Sequence, residues 1–539
     1  MAHAPHPTSA EPLPKDPFAW LPRPDRHRAK GAPVRPSRAG KYRAAVLVLV
    51  HVLIGLHIAQ WLATGGSTLS PVEPSEAMQG LEQGKVNAGF LFFVGAIALT
   101  FVVGRFVCGW ACHLVALQDL CAHWLGKLGL RPRPLRSRLL VFGPFLVGGY
   151  MFVWPQIVRW TGLAQLPSMS WELDLYVDDL WRTFPGWIMA PVSVLVVGFL
   201  IVWVLGAKAF CTHGCPYGAF FALADRFAPG RIRVTDACEH CGHCTQVCTS
   251  NVRVHEEVAK HGMVVDPGCM KCLDCVSVCP KDALYFGFGK VAPFAVSQQR
   301  IAQRADVSWG EELLLAVVGL AAFFAFRGAW FGEGVPLLLS AGLGAITAAL
   351  ALGLWRLLRR SEVTFQHTAW KRGGVWTRWG KVALVGITGW LCFTAHTGVV
   401  RWAGESAERS AWALLRQQRE SRDVAPAAFA AAAERLAWVD RWSLATSPIV
   451  LGVHGLVLRE LAGRTSLEQH QVAIAQLERM VKNRRFDRAR VPPADVALAN
   501  YHLAQGKLDS AQELARDVLA HVPGDPTALA ILEQIERRR

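Results

Sequence analysis

Two runs of cysteines in the middle of the chain constrain its fold more than any other feature. Both runs have the spacing C-x2-C-x2-C-x3-C. They contain Cys238, Cys241, Cys244 and Cys248, followed by Cys269, Cys272, Cys275 and Cys279. Structural zinc sites also use thiolates, but they are built from separated C-x2-C pairs without a third step of this kind. The spacing therefore favours iron–sulfur clusters over zinc.

The repeated spacing also predicts which cysteines share a cluster. In bacterial ferredoxins with this pattern, the fourth cysteine of each run ligates the other cluster. The first [4Fe–4S] cluster is thus predicted at Cys238, Cys241, Cys244 and Cys279, and the second at Cys269, Cys272, Cys275 and Cys248. Pro280 follows the second run, as is usual, whereas Thr249 takes that place after the first. We predict a compact α+β ferredoxin domain at residues 231–290 that relays single electrons.

Long apolar segments surround this domain and predict a membrane protein. The chain has 539 residues, 52% of them apolar, and a mean hydropathy of +0.25. Segments close to the ~20 residues that cross a bilayer recur along it. Seven spans are predicted, at residues 44–63, 88–107, 139–158, 187–206, 313–331, 335–358 and 382–400.

The loop charges predict the orientation of these spans. The segment before the first span and the second and sixth loops are rich in lysine and arginine, which places them in the cytoplasm, whereas the acidic first and third loops are predicted outside. The ferredoxin domain is then cytoplasmic, in a multi-pass protein of a bacterial inner membrane. Residues 1–43 read as a disordered, basic cytoplasmic arm without a cleavable signal peptide. The net charge of +16 follows largely from these anchors, so no nucleic acid partner is predicted.

An internal repeat places four more cysteines at the membrane face. Spans two and four each continue into a Cys-x3-Cys motif, Cys108 with Cys112 and Cys211 with Cys215. The spacing of four residues predicts that each pair lies on one helix face. Four thiols brought together could hold a third iron–sulfur centre, bind a soft metal such as copper(I), or cycle between thiol and disulfide. The alternative is two pairs of inert, buried cysteines.

The C-terminal region, residues 401–539, is predicted to be helical. Its clearest stretch carries Leu498, Ala499, Gly506, Ala511 and Pro523 at the spacings of a tetratricopeptide (TPR) unit, and residues 469–488 suggest a less regular preceding unit. This region is either a module that binds a partner protein or a helical cap, since one repeat cannot bury its own core. Seven spans would place it in the periplasm.

Two histidines inside predicted spans are weaker candidates. His57 in span one and His396 in span seven lie at similar heights and could ligate a b-type haem or hydrogen-bond a quinol. Ordinary hydrogen bonds to neighbouring helices are the more common role of such residues, so we favour that interpretation.

Together these motifs resemble the membrane polyferredoxins of the NapH, NosR and CcoG group. The likeness covers about residues 91–290 and rests on GRFVCGWAC at 104–112, CTHGCPYG at 211–218 and the eight ferredoxin cysteines. The resemblance implies membrane electron transfer that serves periplasmic respiratory reductases or their maturation, and in the CcoG branch copper reduction for cytochrome oxidase assembly. His113 stands where the first motif of this group normally has proline. The β-rich tail of CcoG and the N-terminal flavin-binding domain of NosR are not expected here.

The predicted architecture is mainly α: a polytopic membrane bundle of about seven spans with an inserted two-cluster ferredoxin domain and a TPR-like tail. The predicted order is a basic arm (1–43), four spans with both Cys-x3-Cys motifs (44–215), a cytoplasmic region with the ferredoxin domain (216–311), three spans (312–400) and the tail (401–539). The favoured function is electron relay from a cytoplasmic donor or quinol to a membrane or periplasmic acceptor. A copper-reducing assembly factor and a redox-sensing scaffold are the alternatives, and the chain is an enzyme only if quinol or a metal is its substrate.

Overall fold

The protein was analysed as a computed structural model that falls into two compact units, residues 1–308 and 309–539. The structure describes residues 36–130, 132, 134–162, 169, 171–183, 189–297, 306–329, 337–420, 424–444, 448–462, 474–475, 492–520 and 524–538. Most of the predicted N-terminal arm, Pro523 and the predicted TPR-like segment 469–488 lie outside these ranges, apart from residues 474–475. Each unit is described by itself.

The first unit is a set of helices of very different lengths. They are α1 (Arg38–Thr64), α2 (Ala77–Gln83), α3 (Ala88–Val103), α4 (Phe106–Trp110), α5 (His113–Lys127), α6 (Gly143–Gly148), α7 (Trp154–Thr161), α8 (Met189–Ser193), α9 (Ile201–Leu205), α10 (Ala209–His213), α11 (Pro216–Phe227), α12 (His243–Gln246), α13 (Val254–His261) and α14 (Asp274–Ser277). Helix α1 begins inside the predicted arm, because the Ser37 side chain accepts a hydrogen bond from the Gly40 N–H and caps it.

Five of the described helical stretches are long and apolar enough to cross a membrane. They are Arg38–Thr64, Leu140–Thr161, Trp309–Phe326, Leu337–Arg359 and Arg378–Arg419. The predicted second and fourth spans correspond to shorter apolar helices, Ala88–Val103 and Ala190–Leu205. At 1.5 Å per residue, the 16 residues of the former cover about 24 Å, less than the ~30 Å hydrocarbon thickness of a bilayer. The protein is therefore mainly helical with several candidate spans.

Two of these stretches contain a wider helical turn. Residues Gly149–Val153 and Val194–Leu200 are π-helical, between α6 and α7 and between α8 and α9. Such π-helical turns occur mostly as single insertions in α-helices and often at functional sites.

Short strand pairs join loops at one end of the first unit, and a side-chain hydrogen bond joins a loop to the ferredoxin domain at the other end. β1 (Thr68–Leu69) is antiparallel to β4 (Tyr176–Val177), and β2 (Lys85–Val86) is parallel to β3 (Glu172–Leu173). These pairs join the acidic first and third loops, which the charge rule places on one side. At the other end, Arg136 of the second loop donates to the Asn251 carbonyl of the ferredoxin domain at 3.2 Å. The structure thus groups the loops as the charges predict.

The ferredoxin domain is held by one antiparallel strand pair. β5 (Arg231–Val234) pairs with β6 (Leu284–Gly287), with Arg231 opposite Gly287. Behind this pair lies a small core of valines and cysteines, including the fully buried Ile232 and Val264. The strands bring the two ends of the domain together, so both cysteine runs face each other between them.

The second unit consists of three long helices, a small sheet and a helical tail. Its described elements are α15 (Trp309–Phe326), α16 (Leu337–Arg359), β7 (Val363–Phe365), β8 (Thr368–Arg372), β9 (Val375–Trp376), α17 (Arg378–Arg419), α18 (Pro426–Trp442), α19 (Pro448–Ala462) and the helices Pro492–Ala504, Leu508–Leu519 and Pro526–Arg538. Helix α17 continues 19 residues beyond the predicted end of span seven.

The C-terminal helices pack through the residues that suggested a TPR-like unit. Leu498, Ala499 and Ala511 are buried, and Gly506 has φ 75° in the turn between two helices. Small residues at such positions let neighbouring helices approach closely. The arrangement is that of a helical hairpin; the assignment to the TPR class stays a prediction.

Candidate functional site

The two cysteine runs adopt the same local conformation. Non-glycine residues with positive φ occur at matched positions: His240 (φ 52°) and Lys271 (φ 49°) before the second cysteine of each run, and Asn251 (φ 62°) and Asp282 (φ 49°) three residues after the fourth. Gly242 and Leu273 match likewise after the second cysteine. Left-handed residues alternating with right-handed ones turn successive N–H groups toward one point, which suits an anionic group.

The first predicted cluster site is a cavity open to solvent. It is lined by Cys238, Cys241, Cys244 and Cys279 together with Pro280, Lys281 and Leu284 among others. Cys279 therefore lies with the first run, as the crossed-ligand pattern requires. The Ala283 N–H donates to Cys279 Sγ at 3.3 Å. Cys238 and Cys241 are partly exposed, so this site faces outward.

Most of the second predicted site is buried. Cys269, Cys272 and Cys275 are each less than a tenth exposed, while the fourth member of the predicted set, Cys248, is partly buried. Burial first, and then the neighbouring thiols of Cys272 and Cys269, raises the pKa of Cys248 to about 12. Cys248 therefore lies among the thiols of the second run. Metal binding would have to displace the protons of these thiols, which makes loading dependent on pH.

The two predicted sites consist of thiol ligands, the type that both zinc and iron–sulfur clusters use. Among the residues that the structure describes, no three His, Cys, Asp or Glu side chains are grouped so that they could hold a metal ion. Zinc needs its four sulfurs at ~2.3 Å from one atom. In a [4Fe–4S] cubane each thiolate binds a different iron, so the sulfurs stand further apart. Each crossed set of four cysteines has the ligand number and the sequence spacing of such a cluster, which would supply one-electron redox chemistry.

The loop of the second site packs directly on the first Cys-x3-Cys motif. Trp110 of α4 donates its indole N–H to the Lys271 carbonyl at 3.1 Å. A Cβ added at Gly109 would collide with the Met270 carbonyl oxygen, so only glycine allows this approach. The ferredoxin domain is thus joined, through the loop of its second predicted cluster site, to the helices that precede it. We call these helices, α1 to α11, the helical layer.

A buried ionic cluster holds this junction together. Lys271 Nζ lies 2.7 Å from Asp225 Oδ1, and both side chains are fully buried. Asp225 also accepts the Arg105 backbone N–H at 3.1 Å and contacts the buried Arg231 at 3.5 Å. The Arg105 guanidinium donates to the Pro267 carbonyl at 2.9 Å. One carboxylate therefore ties α11 to the end of α3, to β5 and to the cluster loop.

A second ionic cluster joins α1 to the same loop. Arg43 lies 2.8 Å from Asp274 and 3.0 Å from Asp119, and Lys208 lies 3.5 Å from Asp119. Ser37 donates to Asp274 at 2.6 Å. The sequence analysis missed these charges, because a single charged residue in sequence reads as a surface residue. The repeat could have indicated these charges, because Arg105 and Lys208 stand at the same position, three residues before the first cysteine of each motif.

The four cysteines of the twin motifs lie near enough to one another for their charges to interact, but among the described residues they form no group of three that could hold a metal ion. Cys211 interacts electrostatically with Cys108, Cys112 and Cys215, and Cys215 interacts with Cys108. Cys108 and Cys211 are buried, while Cys112 and Cys215 are partly buried. The expectation that each pair lies on one helix face is wrong. Each motif is broken, because Cys112 is the extended N-cap of α5 and Cys215 that of α11.

The two candidate haem histidines have neighbours within their own units. His57 Nε2 lies 3.0 Å from Thr68 Oγ1, so the nitrogen that an axial haem ligand would use is hydrogen-bonded. The His396 ring lies 6.4 Å from the Trp442 ring. His57 thus makes a polar contact with a residue of β1, whereas the sequence analysis favoured hydrogen bonds to neighbouring helices.

Fold and site together define the class of this protein: a mainly helical protein with several candidate membrane spans and an inserted ferredoxin-type domain that carries 4Fe–4S binding motifs. A family model described as a 4Fe-4S binding domain matches residues 88–131 and 188–235, which contain the twin motifs. A second, described as a 4Fe-4S dicluster domain, matches residues 231–280. No solved structure matches.

Curated relatives identify the family more closely. MauN of Methylorubrum extorquens, a methylamine utilization ferredoxin-type protein, is 29% identical over 35% of this chain and 66% of its own length. The ferredoxin-type protein NapH of Haemophilus influenzae is 26% identical over 44% of this chain and 85% of its own. MauN of Paracoccus denitrificans is 32% identical over 29% of this chain, but the match spans only 53% of that protein. Over its 4Fe–4S region the chain is similar to ferredoxin-type proteins of the NapH and MauN kind, which confirms the resemblance to NapH seen in the sequence.

Proposed function

We propose that this protein is a membrane-bound iron–sulfur relay that takes electrons from a cytoplasmic donor or a membrane quinol and delivers them to a membrane or periplasmic respiratory acceptor. The observation that carries the proposal is the different placement of the two cluster sites. The Cys238 site opens to solvent, whereas the loop of the Cys272 site packs on the twin motifs through Gly109 and Trp110. These placements give the domain a solvent side and a membrane side.

The solvent side has the features of a docking rim. Glu239 and Lys281 form an ion pair of 3.0 Å beside the first site, and both side chains are about half exposed. A soluble redox protein could approach the partly exposed Cys238 here. Exposed charges steer such encounters without contributing much to stability. A cytoplasmic donor therefore fits this rim, and a quinol would have to approach from the helical layer.

Iron and acid-labile sulfide analysis of two variants tests the cluster assignment. Cys244→Ala and Cys272→Ala should each lose one cubane and disturb the other, because the fourth ligands cross between the runs. The exposed Cys392→Ala is the matched control and should keep the full content. The wild-type ferredoxin domain should hold about eight irons. A purified protein that carries only zinc would refute the proposal.

Turnover separates the relay from the two other hypotheses. Rapid cycling of the clusters with a viologen donor and a quinone acceptor supports the relay and argues against a redox-sensing scaffold with a partner-binding tail. Copper bound to the twin-motif thiols of the purified protein would instead favour an assembly factor that reduces or transfers copper.

The proposed location is the bacterial inner membrane, with the N-terminus and ferredoxin domain in the cytoplasm and the C-terminal tail in the periplasm. The basic sixth loop supports this orientation, since it fixes the start of α17 inside. Alkaline phosphatase fused after Arg539 should be active in intact cells. An expressed but inactive fusion would mean that the number of spans is even.

A further inference from the structure

The two cysteine runs of the ferredoxin domain differ in the charges that surround them. His240 and Lys271 occupy the same position, directly before the second cysteine of each run. His240 is exposed, whereas the Lys271 side chain is completely buried and pairs with Asp225 of α11. Asp274, directly before the third cysteine of the second run, accepts a hydrogen bond from Arg43 of α1 at 2.8 Å. The helical layer therefore supplies charged partners to the loop of the second predicted site.

The charges at this junction do not balance. The two ionic clusters described above contain three carboxylates and five cations. The carboxylates are those of Asp119, Asp225 and Asp274, and the cations are those of Arg43, Arg105, Lys208, Arg231 and Lys271. All five cationic residues are less than a tenth exposed. Burying a charge without a counter-charge is costly, so an anionic group at the junction would offset the excess of two positive charges.

One of these cations, Lys208, is poorly compensated. Its ammonium group is completely buried and makes no hydrogen bond to any residue that the structure describes. Asp119 Oδ1 lies 3.5 Å away, but the other oxygen of that carboxylate already pairs with Arg43 at 3.0 Å. Lys208 also has a left-handed backbone, with φ 55°, which is uncommon for a residue with a side chain. Burial and backbone together indicate a role for the charge itself.

The second predicted cluster site would supply the anionic group. Four thiolates leave a [4Fe–4S] cubane with a net negative charge, and the potential at which it takes up another electron depends on the surrounding charge and on solvent exposure. Burial alone disfavours the added negative charge, whereas fixed cations nearby favour it. At the first site the pair of Glu239 and Lys281 has no net charge and is about half exposed, so solvent screens it. The junction cations therefore act on the second site.

We infer that Arg43 and Lys208 of the helical layer are positioning residues that raise the reduction potential of the second ferredoxin cluster, so that it accepts an electron from the first. The transfer moves one electron and no proton: the first site is oxidised by one electron and the second is reduced by one. The inference rests on the proposed relay, and it names the residues that direct electrons toward the helical layer.

A redox titration of the anaerobically purified full chain, followed by electron paramagnetic resonance, tests this inference. A soluble dysprosium complex identifies the first cluster, because it relaxes the signal of the solvent-facing site most strongly. Arg43→Gln and Lys208→Gln should each lower the equilibrium constant for transfer to the second cluster by on the order of tenfold, the effect of one unit charge over about 10 Å at an effective dielectric constant of 20. For a one-electron couple this is a fall of about 59 mV in the potential of the second cluster.

Three further variants separate the effect of charge from that of packing. Asp119→Asn removes a carboxylate from the same ionic cluster and should raise the potential of the second cluster. Arg43→Lys keeps the charge and should keep the potential. Lys281→Gln removes an exposed cation beside the first site, and solvent screening should leave both potentials nearly unchanged. A purely structural role of Arg43 and Lys208 would not produce shifts whose sign follows the charge.

The outcomes separate this inference from the relay itself. Unchanged potentials in Arg43→Gln, Lys208→Gln and Asp119→Asn would overturn the inference and leave the relay standing. A shift of the solvent-facing couple, or of a signal that Cys112→Ser/Cys215→Ser removes, would also overturn it, since the charges would then act elsewhere. A wild type without [4Fe–4S] signals would refute the relay. If the arginine and lysine variants lose their iron, the direction of the shift in Asp119→Asn still decides.

Discussion

Replacing Asp225 by asparagine should destabilise the junction between the ferredoxin domain and the helical layer. The carboxylate lies 2.7 Å from Lys271 Nζ and 3.5 Å from Arg231 Nη2, and all three side chains are fully buried. At an effective dielectric constant of 20, the attraction across 2.7 Å is about 6 kcal/mol before desolvation is counted. Removing one partner of a buried pair leaves an uncompensated charge, which typically costs 3–5 kcal/mol. Asp225→Asn should therefore lose about 3 kcal/mol of stability.

Urea unfolding in detergent measures this loss through the visible absorbance of the clusters. With a slope of about 2 kcal/mol/M, the midpoint of Asp225→Asn should fall by about 1.5 M. Adding Lys271→Met should restore part of the loss, because the double variant no longer buries an unpaired ammonium, giving a coupling energy of about 2 kcal/mol. Glu239→Gln, which breaks the exposed pair with Lys281, is the control and should change stability by less than about 1 kcal/mol.

Equal midpoints for Asp225→Asn and Glu239→Gln would refute the reasoning. So would strictly additive effects of Asp225→Asn and Lys271→Met, since they would mean that the two side chains do not interact.

Three further predictions concern other sites. Gly109→Ala should force the cluster loop away from α4 and cost about 1–3 kcal/mol in the same urea assay, whereas Gly95→Ala, where an added Cβ meets nothing, should be tolerated; equal stability of the two would contradict the close approach. Burial lowers the pKa of His454 to about 4, so the folded tail keeps this ring neutral. The stability of the tail should therefore decrease as pH falls from about 6.5 to 4. Thermal melting should show this dependence of the melting temperature on pH in the wild type and less of it in His454→Leu. Burial, and then the neighbouring carboxylate of Glu73, raises the pKa of Glu76 to about 7. The folded protein therefore favours the protonated side chain, and its stability should fall as pH rises from about 4.5 to 7. Thermal melting of Glu76→Gln should lack this slope, and a wild-type slope in that variant would show that the raised pKa is wrong.

The features that the sequence predicts best are those in which spacing alone constrains geometry. The crossed arrangement of Cys248 and Cys279 follows from ferredoxin spacing, and the structure places both with the opposite run. Long apolar helices such as α1 are equally plain, because their hydropathy needs no tertiary context. The similarity to ferredoxin-type proteins follows from the same residues.

The features that the sequence hides depend on contacts between distant segments. Asp225 and Lys271 are 46 residues apart, and nothing local in either sequence context signals burial. The break between Cys108 and Cys112 was also missed, because a spacing of four fits one continuous helix equally well. Gly109 gained its meaning only from the carbonyl of Met270 beside it.

The end of α17 was missed for a different reason. Hydropathy falls after Val400, which ends a span but does not end a helix. The following residues are good helix formers, and the ion pair of Arg401 with Glu405 at 2.6 Å supports the next turn. The helix continues to Arg419, and Pro426 begins the next one.

Helix α17 has a mechanical consequence for the tail that it carries. Its 42 residues form one rod of about 63 Å, roughly twice the thickness of the hydrocarbon layer. Because the described backbone of α17 contains no interruption, we expect the helix to move as one rigid body. If the apolar half of α17 tilts, because of lipid thickness or of the helices beside it, the opposite end of the helix is displaced. The helices packed on that end, α18 and α19, are then displaced with it. The apolar segment and the tail are thus connected by continuous helix and not by a flexible linker.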